Sequence, residues 1–186
     1  GSISVAGHDV LTNPGKLRRD IGVVSDDVGI YDRLSAREFL NFAGQMHHLG
    51  EAESSRRTED LLEQMDLVGA ADRMIASYSL GMRKKTAFGA ALIHAPRVLF
   101  LDESFNGIDA ASTVILTTLL RQLVRERSVA VILTSHQLEM VDRLCDRVVI
   151  IHNGTILRDA TITELKSEAE SHHTSLEDIF LDLTTS

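Results

Sequence analysis

Val98-Leu99-Phe100-Leu101-Asp102-Glu103 is a run of four apolar residues that ends in two adjacent carboxylates. An apolar run this short is typical of a strand that is covered on both faces, as in a parallel sheet. Ligands of open α/β sheets bind beyond the carboxyl ends of such strands. Asp102 is therefore a candidate ligand for Mg²⁺, and Glu103 is a candidate for orienting or deprotonating a water. A strand followed by an acidic turn without a function fits the same run.

Three further segments accompany this run in a fixed order. Ser79-Leu80-Gly81-Met82 opens a predicted helix upstream, and Asn106-Gly107-Ile108-Asp109 follows downstream. An apolar strand predicted from Val129 to Thr134 then leads to His136. In this order the four segments resemble the signature loop, the Walker B strand, the D-loop and the switch histidine of the ATP-binding cassette (ABC) ATPases. The resemblance covers nearly the whole chain.

The resemblance implies ATP hydrolysis by an attacking water, with Mg²⁺ as cofactor. Asp102 would hold Mg²⁺, directly or through a water. Glu103 would align the attacking water and act as the base. His136 would contact the γ-phosphate or stabilise the geometry of the water. Asp26, in the loop after the second strand, would reach the magnesium nucleotide through a water.

The signature loop adds an anion site that acts on a second subunit. Ser79 and the backbone amide of Gly81 lie at the start of a predicted helix, where N–H groups and the helix dipole favour an anion. In the family this site faces the γ-phosphate of a nucleotide bound by the other subunit. The resemblance also makes Asp109, in the D-loop, a candidate nucleotide-binding residue. The implied partners are thus a second ATPase subunit, to form a dimer, and a membrane permease.

The chain departs from the family pattern at three places. Asp26 stands in place of a glutamine, which adds a charge where the family has a neutral amide. Leu80 replaces a glycine of the signature loop and crowds one side of the phosphate approach. Ser104-Phe105 replaces the usual proline and threonine after the catalytic glutamate, which alters the turn and leaves the two carboxylates in place.

A phosphate-binding loop of the form G-x-x-x-x-G-K-[ST] is absent from the sequence. The similar stretch Asn13-Pro14-Gly15-Lys16-Leu17 lacks the first glycine and the hydroxyl, and it is predicted to be a turn. We therefore expect a cassette truncated after its P-loop helix and inactive alone. Without the P-loop strand, the neighbouring strands, of which Val98 to Leu101 is expected to be one, would present unpaired edges.

Composition limits the classes of function. The chain has 186 residues, 44% of them hydrophobic and 25% charged, which is enough to bury a substantial core. A formal net charge of −8 argues against a nucleic-acid surface, because such domains carry a basic face. No apolar run approaches the roughly 20 residues of a membrane-spanning helix. The single cysteine, Cys145, excludes an internal disulfide and is consistent with the reducing cytoplasm.

Two groups of ionisable residues admit two interpretations each. Arg83-Lys84-Lys85 is either a solvated face of the signature helix or a contact to nucleotide phosphates across a dimer interface. The pairs His47-His48 and His172-His173 suggest a metal site, but sequence neighbours point to different faces of a helix. Surface histidines are therefore the preferred interpretation of both pairs.

Strands and helices alternate along the chain, which predicts an α/β fold with a mostly parallel sheet. The resemblance implies that this sheet is of the P-loop NTPase type and lacks the P-loop strand and helix. Residues 1–186 are expected to form a single partial ABC ATPase domain. Ser35-Ala36-Arg37-Glu38 is a capping box that predicts the start of a helix, and the resemblance implies an α-helical subdomain at 35–77. Asn153-Gly154 predicts a hairpin that would end the sheet antiparallel. The segment 161–186 is expected to be a C-terminal helical tail similar to that of drug exporters.

The resemblance therefore implies the ATP-binding and hydrolysing subunit of an ABC transporter, of the exporting type, located in the cytoplasm and peripheral to the membrane through its permease. Two alternatives stay open: a soluble cassette ATPase without a transport function, and a non-catalytic donor of the signature loop. The acidic composition and the exporter-like tail disfavour a cassette ATPase that acts on nucleic acid.

Overall fold

The structure, a computed structural model, describes residues 1–27 and 29–185. The chain forms two compact units, Gly1–Thr134 and Ser135–Ser186. The first unit contains β1 (Ser4–Val5), β2 (His8–Asp9), α1 (Pro14–Asp20), β3 (Ile21–Val24), α2 (Ala36–Met46), α3 (Glu51–Gln64), α4 (Leu80–Leu92), β4 (Val98–Asp102), α5 (Ala110–Arg127) and β5 (Ala130–Thr134). The second contains α6 (Leu138–Leu144), β6 (Arg147–His152), β7 (Thr155–Thr161), α7 (Ile162–His172) and α8 (Leu176–Thr185).

The main sheet is parallel, with the strand order β3-β4-β5. Val98 pairs with Ile21 on one side and with Ala130 on the other, so β4 is the central strand of this sheet. The α/β fold with a parallel sheet is thus confirmed. The prediction that Val98 to Leu101 presents an unpaired edge is wrong, because β3 and β5 flank it and are the two outer strands of this sheet.

Burial along β4 explains its apolar sequence. Leu99 is fully buried and Leu101 is 1% exposed, and helix α5 contributes Leu116, which is also fully buried. Helices cover the sheet on the side where these residues point, so that the core extends from the central strand into α4 and α5. Apolar burial of this kind holds the strand, and with it the two carboxylates at its end, in a fixed position.

Replacing Leu99 by alanine should lower the free energy of unfolding by about 2–5 kcal/mol, because it leaves a cavity in a site that cannot collapse. Val114→Ala is the control, since that side chain is 54% exposed on α5 and its loss should change stability little. Urea unfolding followed by circular dichroism measures both variants. Equal midpoints for the two variants would show that the centre of β4 is not the core of the fold.

The segment predicted to be a turn at Asn13 is instead the start of a helix. Helix α1 begins at Pro14, with Asn13 as the residue before it. Proline is well suited to the first helical position, because its fixed φ matches the helix and its missing N–H has no partner there. A segment that matches the P-loop pattern only in part can therefore be helical.

The capping box at Ser35 is confirmed, and it starts α2. The Glu38 N–H donates to the Ser35 hydroxyl at 3.2 Å, and the Ser35 N–H donates to the Glu38 carboxylate at 2.8 Å. Helix α3 and two short 3₁₀ turns follow α2 before α4, so this region is helical, as the sequence predicts. None of the described helices has the length and apolar character needed to cross a membrane.

The hairpin at Asn153-Gly154 is confirmed, but its place in the architecture differs from the prediction. Asn153 has φ +48° and Gly154 has φ +75°, as a two-residue hairpin turn requires. Strands β6 and β7 pair with each other from Arg147↔Thr161 to His152↔Thr155. Because each of them pairs with the other along its length, they form a separate two-stranded sheet and do not end the parallel one.

Candidate active site at the end of the central strand

Asp102 and Glu103 lie where the central strand ends, as predicted. Asp102 pairs in register with Thr134, and the Thr134 hydroxyl donates to Asp102 Oδ1 at 2.5 Å. The Glu103 N–H donates to the Thr134 carbonyl at 3.2 Å. Glu103 has φ +48°, a left-handed conformation that is uncommon for residues other than glycine and that occurs at functional sites. Strand pairing thus fixes the backbone of both residues.

The two residues after Glu103 anchor the following loop. Ser104 is fully buried, and its hydroxyl donates to the Val24 carbonyl at the end of β3 at 2.7 Å. Phe105 is 5% exposed and packs edge-to-face on Phe88 of α4, with ring centroids 5.8 Å apart. The departure from proline and threonine at these positions is therefore accommodated by one hydrogen bond to β3 and one aromatic contact to α4.

The predicted signature turn and D-loop lie against each other. Ser79 is the N-cap of α4 and accepts from the Met82 N–H at 3.3 Å. Asp109 is the N-cap of α5 and accepts from the Ser112 N–H at 2.9 Å, and these hydrogen bonds lower the pKa of Asp109. A Cβ on Gly81 would collide with the Asp109 carboxylate and the Ser112 hydroxyl. Glycine at 81 thus permits the two helix N-termini to approach closely.

The basic cluster at Arg83-Lys84-Lys85 does not form a solvated face, so the first of the two interpretations of this cluster is wrong. Lys84 is 1% exposed and Lys85 is 5% exposed. The Lys85 ammonium donates to the Asp66 carbonyl at 3.3 Å, and burial lowers the pKa of Lys85. Arg83 forms an ion pair with Asp32 at 2.6 Å. The cluster is instead used to join α4 to neighbouring loops, because long side chains can bury their stems while their charges find partners.

Asp26 lies in the loop after β3 and is held by this cluster. Lys84 Nζ donates to the Asp26 carbonyl at 2.9 Å and to Asp26 Oδ1 at 3.1 Å. The replacement of a neutral amide by a carboxylate at position 26 is thus matched by a buried cation. No feature of the sequence indicated that these two residues, 58 positions apart, would meet.

His136 is the second residue of the second unit, two residues after the end of β5, and its role toward a γ-phosphate stays a prediction. Within the described residues, no group of three or more His, Cys, Asp or Glu side chains forms a metal cage. A site with one or two oxygen ligands from Asp102 and Thr134 suits Mg²⁺, which is usually bound by one or two carboxylates together with substrate phosphates. The oxygen donors at the ends of β4 and β5 therefore fit the implied cofactor.

A groove of about 550 Å³ lies beside β3, and the sequence did not predict it. We call it the β3 groove. Four of the exposed apolar side chains at or near it are Val23, Tyr31, Phe42 and Met46, whose exposed fractions are 58%, 58%, 40% and 65%. The Tyr31 ring packs edge-to-face on Phe42, with centroids 5.7 Å apart. Clustered apolar exposure of this kind is typical of a surface that binds another protein.

One wall of the β3 groove holds a stacked pair of histidines. The rings of His47 and His94 are parallel, with centroids 3.7 Å apart. His94 Nε2 lies 2.8 Å from the Ile21 carbonyl, and its Nδ1 is buried without a partner in the described part of the chain. Burial lowers the pKa of His94 from 6.5 to about 4. His47 is therefore packed against a neighbour, contrary to the expectation of a simple surface histidine.

Stability should fall as the pH drops from about 6.5 to about 4, because the folded protein holds His94 neutral whereas the unfolded chain protonates it near its ordinary pKa. Protonation would place a hydrogen on Nδ1, which has no acceptor among the described residues. Urea midpoints at pH 7 and pH 5 measure the effect. His94→Gln should reduce the pH dependence, and His152→Gln, at an exposed site, should leave it unchanged. The same pH slope in both variants would exclude His94 as its source.

Residues 1–106 match the family described as ABC transporter. The ABC transporter ATP-binding protein NatA of Bacillus subtilis (strain 168) is 34% identical over 172 residues, which cover 92% of this chain and 70% of NatA. The doxorubicin resistance ATP-binding protein DrrA of Mycobacterium tuberculosis (strain ATCC 25618 / H37Rv) is 36% identical over 169 residues, 91% of this chain and 51% of DrrA. The chain spans about half the length of the drug-resistance relatives that it matches.

Solved structures agree with this assignment. The ATP-binding subunit of an ABC transporter has a TM-score of 0.83 and 28% identity, and the match covers 98% of this chain and 76% of that one. A dimeric ATP-binding cassette bound to ADP and Pi has a TM-score of 0.78 over 87% of this chain and 73% of its own, and at 19% identity it supports the fold alone. The chain therefore belongs to the ATP-binding proteins of the ABC transporter family.

Proposed function

We propose that this protein is the ATP-hydrolysing subunit of an ABC exporter, acting on MgATP at the carboxyl end of β4. The observation that carries the proposal is the fixed position of Asp102 and Glu103 at the end of the central parallel strand. The loop that follows these carboxylates ends at Asp109, beside the first turn of the helix that Ser79 caps. This arrangement supports a role for the first unit in both hydrolysis and anion binding.

In this proposal Glu103 accepts the proton of the attacking water, and its left-handed backbone sets the direction of the carboxylate. Asp102, fixed by the hydroxyl of Thr134, holds Mg²⁺, which offsets negative charge on the terminal phosphates when it is bound. His136 orients the water or the γ-phosphate. Asp26 acts at the edge of the site only through a water, because its Oδ1 is bonded to Lys84.

The signature turn serves a nucleotide on a second ATPase subunit. Ser79 and the Gly81 N–H lie in the first turn of α4, where the helix dipole attracts an anion. Asp109 caps α5 directly beside them, so that the D-loop and the signature turn present one surface to the partner. In a dimer, this chain can therefore contribute its signature turn to a nucleotide that is held by the P-loop of the partner.

The β3 groove is the proposed contact for the membrane permease. It is apolar and exposed, and it runs between the sheet edge and helix α2 of the proposed helical subdomain, 35–77. A permease segment with apolar side chains would cover Phe42 and Met46 and thereby keep the subunit peripheral to the membrane on its cytoplasmic side. The segment 161–186 is the proposed C-terminal helical tail, of which Ser186 lies outside the described residues.

The experiment that tests this function is release of phosphate from MgATP by a form in which a P-loop strand and helix precede Gly1. We expect hydrolysis that requires Mg²⁺ and that EDTA abolishes. MgATP binding without hydrolysis would favour the non-catalytic donor of a signature loop. Hydrolysis that rises only when RNA is added would favour the cassette ATPase without a transport function.

A further inference from the structure

Lys84 is a buried cation within the signature helix. Its side chain is 1% exposed, whereas the Asp26 side chain that it meets is 61% exposed. Both hydrogen bonds that the structure gives to Lys84 Nζ end on Asp26, at the backbone carbonyl and at Oδ1. An ammonium in such a place is strongly unfavourable unless it is paired and hydrogen-bonded. Asp26 therefore neutralises Lys84, and the loop that carries Asp26 has to stay in place for this to hold.

The same ion pair connects two separate surfaces of the first unit. Ser25 and Asp27, on either side of Asp26, line the β3 groove. Lys84 lies one helical turn after Leu80, the first residue of α4, and Ser79 caps this turn. A single side chain thus joins the wall of the groove to the helix that begins at the signature turn.

We propose that the Lys84–Asp26 pair is a positioning link that couples the β3 groove to the signature turn. A ligand that displaces the loop at 25–27 has two possible consequences: α4 follows the loop, or Lys84 loses its counter-ion inside the protein. Since a buried unpaired charge is the worse of the two, the loop and α4 move together. The identity of the groove as the permease contact rests on the proposed function, whereas the link itself is a property of this chain.

Amine labelling of the full chain, followed by mass spectrometry, tests whether the pair protects Lys84. In the wild type, Lys84 should react far more slowly than Lys166, whose side chain is 48% exposed in an ion pair with Asp142. Asp26→Asn should accelerate labelling of Lys84 about tenfold or more, because a hydrogen bond to a charged group is lost. Asp27→Asn is the matched control at the next position and should leave labelling unchanged, as should Asp26→Glu, which retains the charge.

Amide chemical shifts test whether the pair transmits a change. Asp26→Asn should move the resonances of Ser79 to Met82, about one helical turn from the pair, and Asp27→Asn should not. Lys84→Met should move the same resonances and also those at 25–27. Shifts confined to 25–27 in Asp26→Asn, or labelling of Lys84 that is equal in wild type and Asp26→Asn, would overturn the proposal. Neither measurement uses ATP or a permease, so its failure is distinct from failure of the proposed function.

Discussion

A form with a P-loop strand and helix ahead of Gly1 should bind MgATP normally but hydrolyse it roughly 10²- to 10⁴-fold more slowly when it carries Glu103→Gln. Glutamine retains the size of the side chain and its capacity for hydrogen bonds, but it cannot accept the proton of the attacking water. The effect should be confined to the chemical step, because the left-handed backbone at this position is fixed by pairing to Thr134. Single-turnover hydrolysis measures it directly.

Glu63→Gln is the matched control for this variant. Glu63 is an exposed glutamate on α3, outside the proposed site, and its replacement should leave the rate unchanged. Near-normal turnover in Glu103→Gln would remove Glu103 from the role of base. Asp26 would then be the next carboxylate to examine, although its hydrogen bonds with Lys84 restrict its movement.

Residues 1–186 alone should bind MgATP with a Kd above about 1 mM, which corresponds to a binding free energy weaker than about −4 kcal/mol. The sequence contains no loop whose amides and lysine would hold the β- and γ-phosphates. Isothermal titration of the chain with MgATP measures this affinity, and the form with an added P-loop segment is the positive control. Tight binding at one equivalent by residues 1–186 would show that the phosphate site lies elsewhere in the molecule.

Local signals in the sequence predicted the parts of the site that depend on neighbouring residues. The end of an apolar strand at Asp102 and the capping box at Ser35 both follow from patterns within a few positions, and the structure contains both. Such signals are reliable because the backbone groups that they satisfy lie within one helical turn or at the end of one strand.

Features that depend on distant parts of the chain were not predicted. The central place of β4 follows from the strand order, which the sequence of Val98 to Leu101 does not encode. The burial of Lys84 requires the loop at Asp26 to pack over α4. The sequence of a basic cluster does not indicate whether its charges are solvated or paired. The β3 groove likewise arises only when α2, α4 and the sheet edge are brought together.

Binding of Mn²⁺, a paramagnetic substitute for Mg²⁺, is the measurement that tests most directly whether the end of β4 is the site of the magnesium nucleotide. Electron paramagnetic resonance measures the concentration of free Mn²⁺ in a mixture of Mn²⁺, ATP and the form of the protein that carries a P-loop segment. We expect Asp102→Asn to weaken retention of Mn²⁺ by the protein–ATP complex and Asp142→Asn, in the second unit, to leave it unchanged. Equal retention of Mn²⁺ by wild type and Asp102→Asn would contradict the assignment of this site.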